Sequence, residues 1–333
     1  MNAVLRSLSL FASQNAGRLA NATVLLLLSL LVGLNLLGPS LDRQAYLWQY
    51  QRVEDQGFLE LATGLDPLYF LALKLASLAG LPFEWITFAI ALASLGLVKA
   101  AVERLEINHF AFFGLWASHV LWLHNYTQIR IALAIALVLF AIFRLGRARW
   151  PVFVIAFAIH AAVAIPIAIW VISRLPKRAL AALGVVAAAV LVKVATDFEG
   201  VFTTLTKFVP DIGERALLYV DLRDFDVFSE QNLLAVMPLM QSAMVIYILV
   251  RSRVIDTVAM LGSIGPVFFY AFSFLPVLAF RSYEMFIPFF LVYLAMYVNR
   301  SPLLIGVATL YGLVGLRQIF FTASPVVPVM FGP

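Results

Sequence analysis

Three arginines stand where long apolar stretches begin or end: Arg130 in HNYTQIRIALAIALVLFAIF, Arg281 in FRSYEMFIPFF and Arg317 in GLRQIFF. A guanidinium at a bilayer centre costs roughly 2.5–3.5 kcal/mol on insertion scales, and less near the edge. Its planar fork of donors matches phosphate oxygens, and charge-assisted hydrogen bonds contribute about 1.5–3 kcal/mol each. Arginines gathered in one cavity would hold a pyrophosphate or a phosphate-linked lipid headgroup. The simpler alternative is snorkelling or pairing with a carboxylate. Glu284 lies one helical turn from Arg281, whereas Arg130 has no acid within a turn in sequence.

Other residues could act beside these cations. In SLDRQAYLWQY, residues 40–50, Asp42 is a candidate general base for a hydroxyl. Tyr46, Trp48 and Tyr50 suit sugar faces, or equally an interfacial aromatic belt. Tyr126 and Gln128 precede Arg130, and Tyr283 follows Arg281, all as candidates for orienting a substrate. His160, within FAIHAAVAIP, is costly in an apolar segment unless partnered. It is either a catalytic or orienting group, or a satisfied core histidine.

Some chemistries find no support. His119 and His124 are five apart, a poor fit to one α-helical face, and lack an adjacent carboxylate, so no metal site is expected. Asp221, Asp224 and Asp226 in DLRDFD lack the spacing of a calcium loop and read as a solvated face. The absence of cysteine excludes disulfides, thiolate metal sites and a cysteine nucleophile. Walker, GxSxG, HExxH and dinucleotide motifs are missing, and no cofactor is expected.

The elements holding these residues follow from composition. The chain has 333 residues, 63% of them hydrophobic and 12% charged. Soluble domains are roughly 45–50% apolar and about 25% charged. The expectation is an all-α polytopic integral membrane protein with about 9–11 transmembrane helices, forming a single membrane domain over 1–333. The net charge of +5 reflects the membrane rather than nucleic acid. The first apolar run, LANATVLLLLSLLVGLNLLG, reads as an uncleaved span. Further spans are expected at 83–101, 108–124, 128–143, 179–196, 232–250, 255–279, 283–298 and 303–321.

Charge parity decides two ambiguous stretches. DPLYFLALKLASLAGLP, residues 66–82, has Asp66 as N-cap and Pro67 at the first helical position. It contains Lys74 and is short for a span, so it is expected to lie flat as an interfacial helix. Residues 150–173 carry basic clusters at both ends and read as two short half-helices turning near His160. This trace places thirteen of the 23 basic residues but only three of the 18 acids on the cytoplasmic side. It leaves two long outer loops, 39–82 with its interfacial helix and 197–231, and long ordered loops tend to carry function.

TQIRIALAIAL at 127–137 and HAAVAIP at 160–166 together resemble the EpsG family of bacterial exopolysaccharide and O-antigen polymerases, which is Wzy-like. The family pattern is roughly N-Q-I-R-Q-x-I-A, then about thirty residues later H-x-S-A with a following proline. Gln128, Ile129 and Arg130 match, and His160, Ala162 and Pro166 approximate the second part. Ile131 stands where the family has Gln, and the serine after His160 is missing. Asp42 with Tyr46, DPLYFLAL at 66–73, and Arg281 with Tyr283 opening a late span are further echoes. The order of elements is also similar to that of GT-C glycosyltransferases, which use polyprenyl-linked donors.

The resemblance implies a glycosyltransferase in the bacterial cytoplasmic (inner) membrane, with its active site facing the periplasm or exterior. It would join polyprenyl-diphosphate-linked oligosaccharide repeats, with undecaprenyl diphosphate as the carrier. Arg130, Arg281 and Arg317 would bind diphosphate, and Asp42 and His160 would be catalytic. Gln128, Tyr126, Tyr46, Tyr283 and Glu284 would orient substrate. Pathway partners would include a flippase and a chain-length regulator. An O-antigen ligase or a transferase of one lipid-linked sugar would use the same parts. A transporter of an anionic solute is the alternative of another class, although transporters commonly show paired repeats and none is visible here.

Overall fold

The computed structural model describes residues 21–40, 42–176, 232–318 and 320, with single helical positions at 196, 200, 203 and 207. Those four positions apart, the expected span 179–196 and the outer loop 197–231 lie outside the described residues. Every regular element among the described residues is helical, in accord with the all-α expectation. Helices satisfy their backbone polar groups within one segment, which a chain this apolar requires wherever water is absent.

In chain order the helices are α1 (Asn21–Gly33), α2 (Arg43–Arg52), α3 (Phe58–Thr63), α4 (Pro67–Leu78), α5 (Phe83–Val102) and α6 (His109–Leu115). A π-helix (Trp116–Thr127) follows, then α7 (Ile129–Arg144) and α8 (Arg149–Ile159). After a 3-10 turn at Ala161–Val163 come α9 (Ala164–Ile172), α10 (Val236–Ser252), α11 (Thr257–Ala271), α12 (Pro276–Tyr297) and α13 (Pro302–Arg317). Proline opens α4, α12 and α13, where its missing N–H is an orphan in any helix. Among the described residues, Phe83–Val102 and Pro276–Arg300 are long and apolar enough to cross a membrane by themselves.

The described residues form two compact units. The first contains α1–α5, the chain from Leu121, α7 and α8. One buried apolar cluster in it is Tyr46, Val53, Leu61, Tyr69, Leu73, Phe83, Ile86 and Ile129, drawn from five helices. α4 has 12 residues, so at 1.5 Å per residue it rises only about 18 Å. It buries Tyr69, Leu73 and Lys74, and Lys74 Nζ donates to the Glu54 carbonyl at 2.7 Å. α7 packs against both α5 and α8. Gly33 lets α1 meet α5 so closely that a Cβ would collide with the Phe88 backbone, and the Thr87 hydroxyl donates to the Gly33 carbonyl.

The second unit contains residues 104–120 and α9–α13. From Met285 to Ala295 every residue of α12 is buried, which suits a helix that is hydrophobic all round. α11 lies against it, and Gly262 and Gly265 make room for Tyr293 and Phe286. Asn108 fixes the start of α6. Its side chain accepts from the Ala111 N–H at 2.9 Å and donates to Asn299 at 2.7 Å, while its own N–H reaches the Ala295 carbonyl.

Two boundaries differ from the sequence expectation. Helix α12 begins at Pro276, so Arg281 and Tyr283 lie inside it rather than opening a span. The Leu275–Pro276 junction sets the start, and Glu284, 3.9 Å from Arg281, lets the charge sit within continuous helix. The expected α-helix over 108–124 becomes π after Leu115: Gln128 N–H reaches back five residues to the Leu123 carbonyl at 3.2 Å. His119 and His124 both lie in this π-helical stretch, each with its own neighbours: Tyr311 for His119 and Gln128 for His124. The break at His160 is as expected. Helices of 11 and 9 residues flank it, and its backbone is extended at φ −156°, ψ 109°.

Candidate functional site

Arg130 is the second residue of α7, directly after the buried Ile129. Its Nη1 lies 2.9 Å from Oδ2 of Asp66, whose side chain is only 1% exposed. Asp66 has left-handed backbone, φ 57° and ψ 45°, at the entrance of α4. Its carbonyl accepts the Tyr69 and Phe70 amides, but its carboxylate does not cap the helix. The expected side-chain N-cap is therefore replaced by an ion pair, because a nearby buried guanidinium outcompetes two backbone amides for the charge.

Aromatic rings surround the cation. The guanidinium carbon is 5.4 Å from the Tyr46 ring centroid, 5.2 Å from that of Tyr69 and 6.0 Å from that of Phe70. Asp66, Tyr69, Phe70 and Leu73 follow the i, i+3, i+4, i+7 spacing of one helical face. The Arg130 Nε and the Tyr69 hydroxyl are buried with no hydrogen-bond partner among the described residues. Burial, helped by neighbouring Tyr46, pushes the Tyr69 phenol well above its ordinary range, so it stays a neutral donor. Asp66 Oδ2 engages a single nitrogen of a five-donor group, and the Arg130 side chain keeps 18% exposure. The geometry is an anchored cation with donor capacity left over.

The neighbouring polar residues have defined roles. Gln128 Oε1 lies 3.1 Å from His124 Nδ1, and Asn125 donates to the Ser94 hydroxyl at 2.7 Å. The buried Tyr126 donates its hydroxyl to the Gly38 carbonyl and so ties the chain after α1. Asp42 precedes α2, and its carbonyl accepts the Tyr46 amide at 3.0 Å. It is thus one turn from the ring that faces Arg130. Arg43 beside it pairs with Glu84 at 2.7 Å and lies over Phe83.

The other sequence candidates belong to the second unit. Arg281 is half exposed, with Glu284 at 3.9 Å, the pairing that the i, i+3 spacing suggested. Tyr283 is buried, with Phe269 at 5.7 Å and Tyr311 as its neighbour. Arg317 ends α13 and is exposed, and His160 is half-buried in the helix break. His119 stacks against Tyr311 at 5.9 Å, with Gly315 leaving room for its ring. Among the described residues no group of three or more histidine and acidic side chains is placed to hold a metal ion.

Sequence reasoning missed Asp66 as the partner of Arg130, together with Tyr69 and Phe70. The signal was present in DPLYF, an acid and two aromatics on one face of a short helix. It was obscured because Asp before Pro is also an ordinary helix start.

No curated protein and no solved structure matches the chain. A family model described as the EpsG family matches residues 20–323, nearly the whole length. With the Gln128–Arg130 segment now seated against Asp66 in an all-helical, strongly apolar framework, the chain belongs to the EpsG family of membrane proteins of polysaccharide biosynthesis.

Proposed function

We propose that the protein is a polytopic glycosyltransferase that polymerises polyprenyl-diphosphate-linked oligosaccharide repeats at the periplasmic or outer face of the cytoplasmic membrane. The observation that carries this reading is Arg130, held by Asp66 at 2.9 Å within an aromatic wall and keeping unused donors. Large apolar side chains exposed on α8, α10 and α13, among them Val154, Val250 and Leu303, suit lipid contact.

In the reaction, a hydroxyl of one lipid-linked repeat attacks the anomeric carbon of the growing chain. The carbon–oxygen bond to diphosphate breaks, the new glycosidic bond forms, and polyprenyl diphosphate leaves. Arg130 stabilises the charge on the departing diphosphate, as preorganised cations do for developing anions. Asp42, one turn from Tyr46, takes the hydroxyl proton, and the Tyr46 ring faces the guanidinium. Gln128 and Tyr126 hold the chain that leads into Arg130. In the second unit His160, Arg281, Arg317, Tyr283 and Glu284 remain candidates to be tested one at a time.

The direct experiment replaces Arg130 with Ala and with Lys in cells lacking the chromosomal gene, and follows polysaccharide length and protein level. Loss of one preorganised charge stabiliser lowers turnover by about 10²–10³-fold. Arg130→Ala should abolish long-chain polymer, and Arg130→Lys should restore part of it at equal protein level. Normal polymer from Arg130→Ala would overturn the clamp. Single-unit transfer with intact lipid-linked substrate would point instead to a ligase or single-sugar transferase.

A further inference from the structure

Along the C-terminal half of α10, within the second unit, lies an open groove of about 850 Å³. Its floor along α10 is apolar, formed by Ala243, Ile246 and Val250, with Ile246 61% and Val250 72% exposed. Its end is basic, with Arg251 and Arg253. A smaller adjoining cavity shares Tyr247 and Arg251 and adds Tyr297, Arg300 and Ser301. The groove therefore changes from hydrocarbon to cation along a single helix.

Arg300 and the Arg253 backbone have defined positions, and among the described residues none of these cations has an acidic partner. Arg300 lies over the Tyr297 ring at 4.5 Å, and the Tyr247 hydroxyl donates to the Ser301 hydroxyl at 2.9 Å. Arg253 occupies left-handed backbone at φ 55°, where glycine is the usual residue, and its amide closes α10 on the Leu249 carbonyl. No acid pairs with Arg251, Arg253 or Arg300 among the described residues. The carboxylate nearest in sequence, Asp256, accepts the Ala259 amide as the cap of α11. Arg251 lines both cavities, with Arg253 in the larger and Arg300 in the smaller, and like charges set around Arg251 repel one another, a penalty that a bound anion removes.

We propose that this groove is a binding site for an anionic phospholipid, with an acyl chain along Ala243, Ile246 and Val250 and the phosphate between Arg251, Arg253 and Arg300. The apolar floor favours a lipid over a soluble phosphate, which would need only the cationic end. Basic pockets between apolar helices have the charge and position to recognise phosphate headgroups at the membrane surface. The site is distinct from the Arg130–Asp66 pair, and its occupant is bound rather than consumed.

The test uses the purified full-length protein, delipidated in neutral detergent. Phosphatidylglycerol, phosphatidylcholine and inorganic phosphate are added separately. Retained lipid is counted by native mass spectrometry, and the melting midpoint is followed. Phosphatidylglycerol should bind and raise the midpoint, whereas phosphatidylcholine and phosphate should not. Arg251→Gln/Arg300→Gln should weaken phosphatidylglycerol about tenfold, while the exposed control Arg104→Gln keeps wild-type binding. The midpoint of each variant in phosphatidylcholine reports folding independently. Equal protection by inorganic phosphate, or undiminished phosphatidylglycerol binding to the folded double variant, would overturn the proposal.

Discussion

Asp66 Oδ2 stands 2.9 Å from Nη1 of Arg130 across 64 residues of chain, joining the entrance of α4 to the first turn of α7. The pair secures α4 to the framework, and it fixes the direction in which the remaining guanidinium donors are offered.

Removing one partner leaves a buried charge uncompensated. Asp66→Asn tolerates the left-handed backbone but loses the charge, and should destabilise the protein by about 3–5 kcal/mol. Asp66→Asn combined with Arg130→Gln should recover a large part of that loss, because no buried charge remains. Unfolding in detergent across the double-mutant cycle measures the coupling; additive effects would deny it.

Close helix approach makes a second prediction. A Cβ on Gly262 would lie 2.5 Å from Tyr293 Cβ, whereas nothing lies within 4 Å of one on Gly96. Gly262→Ala should cost about 1–3 kcal/mol through overpacking of α11 on α12. Gly96→Ala should be neutral or stabilising. Comparing the two melting midpoints checks the packing of the second unit.

Asn108 combines a helix cap with a contact to Asn299. Asn108→Ala should lower stability by about 0.5–2 kcal/mol, the ordinary range for losing an N-cap. Asn108→Asp retains the cap acceptor but loses the amide donor to Asn299, so it should lie between the two in the same unfolding assay.

Gln241 is fully buried, and neither end of its amide has a hydrogen-bond partner among the described residues. Gln241→Met keeps the volume and removes the unsatisfied groups, so it should raise stability by about 1–3 kcal/mol. A lower midpoint would show that the amide is satisfied in the working protein.

Orientation has its own test. A reporter inserted beside Lys74 should read as external if α4 lies flat on the outer surface. A cytoplasmic reading would remove the interfacial placement.

The helical class, the break at His160 and the limits of α5 and α7 were legible in sequence, because apolar length, proline and charge are local signals. The Asp66–Arg130 pair was not, since nothing local marks a contact between a helix entrance and another helix 64 residues on. The start of α12 was misread for a related reason. A charge such as Arg281 marks a border in sequence, but a half-exposed arginine with Glu284 one turn away fits within continuous helix. The π-helix was invisible because its apolar residues look the same at either periodicity.

That π-helix has a consequence for sequence change. Its register, rather than its hydrophobicity, sets the direction in which the following helix starts. Losing a single residue between Trp116 and Thr127 leaves composition and length almost untouched, yet shifts the i→i+5 register that delivers the chain to α7. Point substitutions there are mild edits, whereas a one-codon deletion would re-aim Gln128 and Arg130. Variation within this segment should therefore accumulate as replacements and not as changes in length.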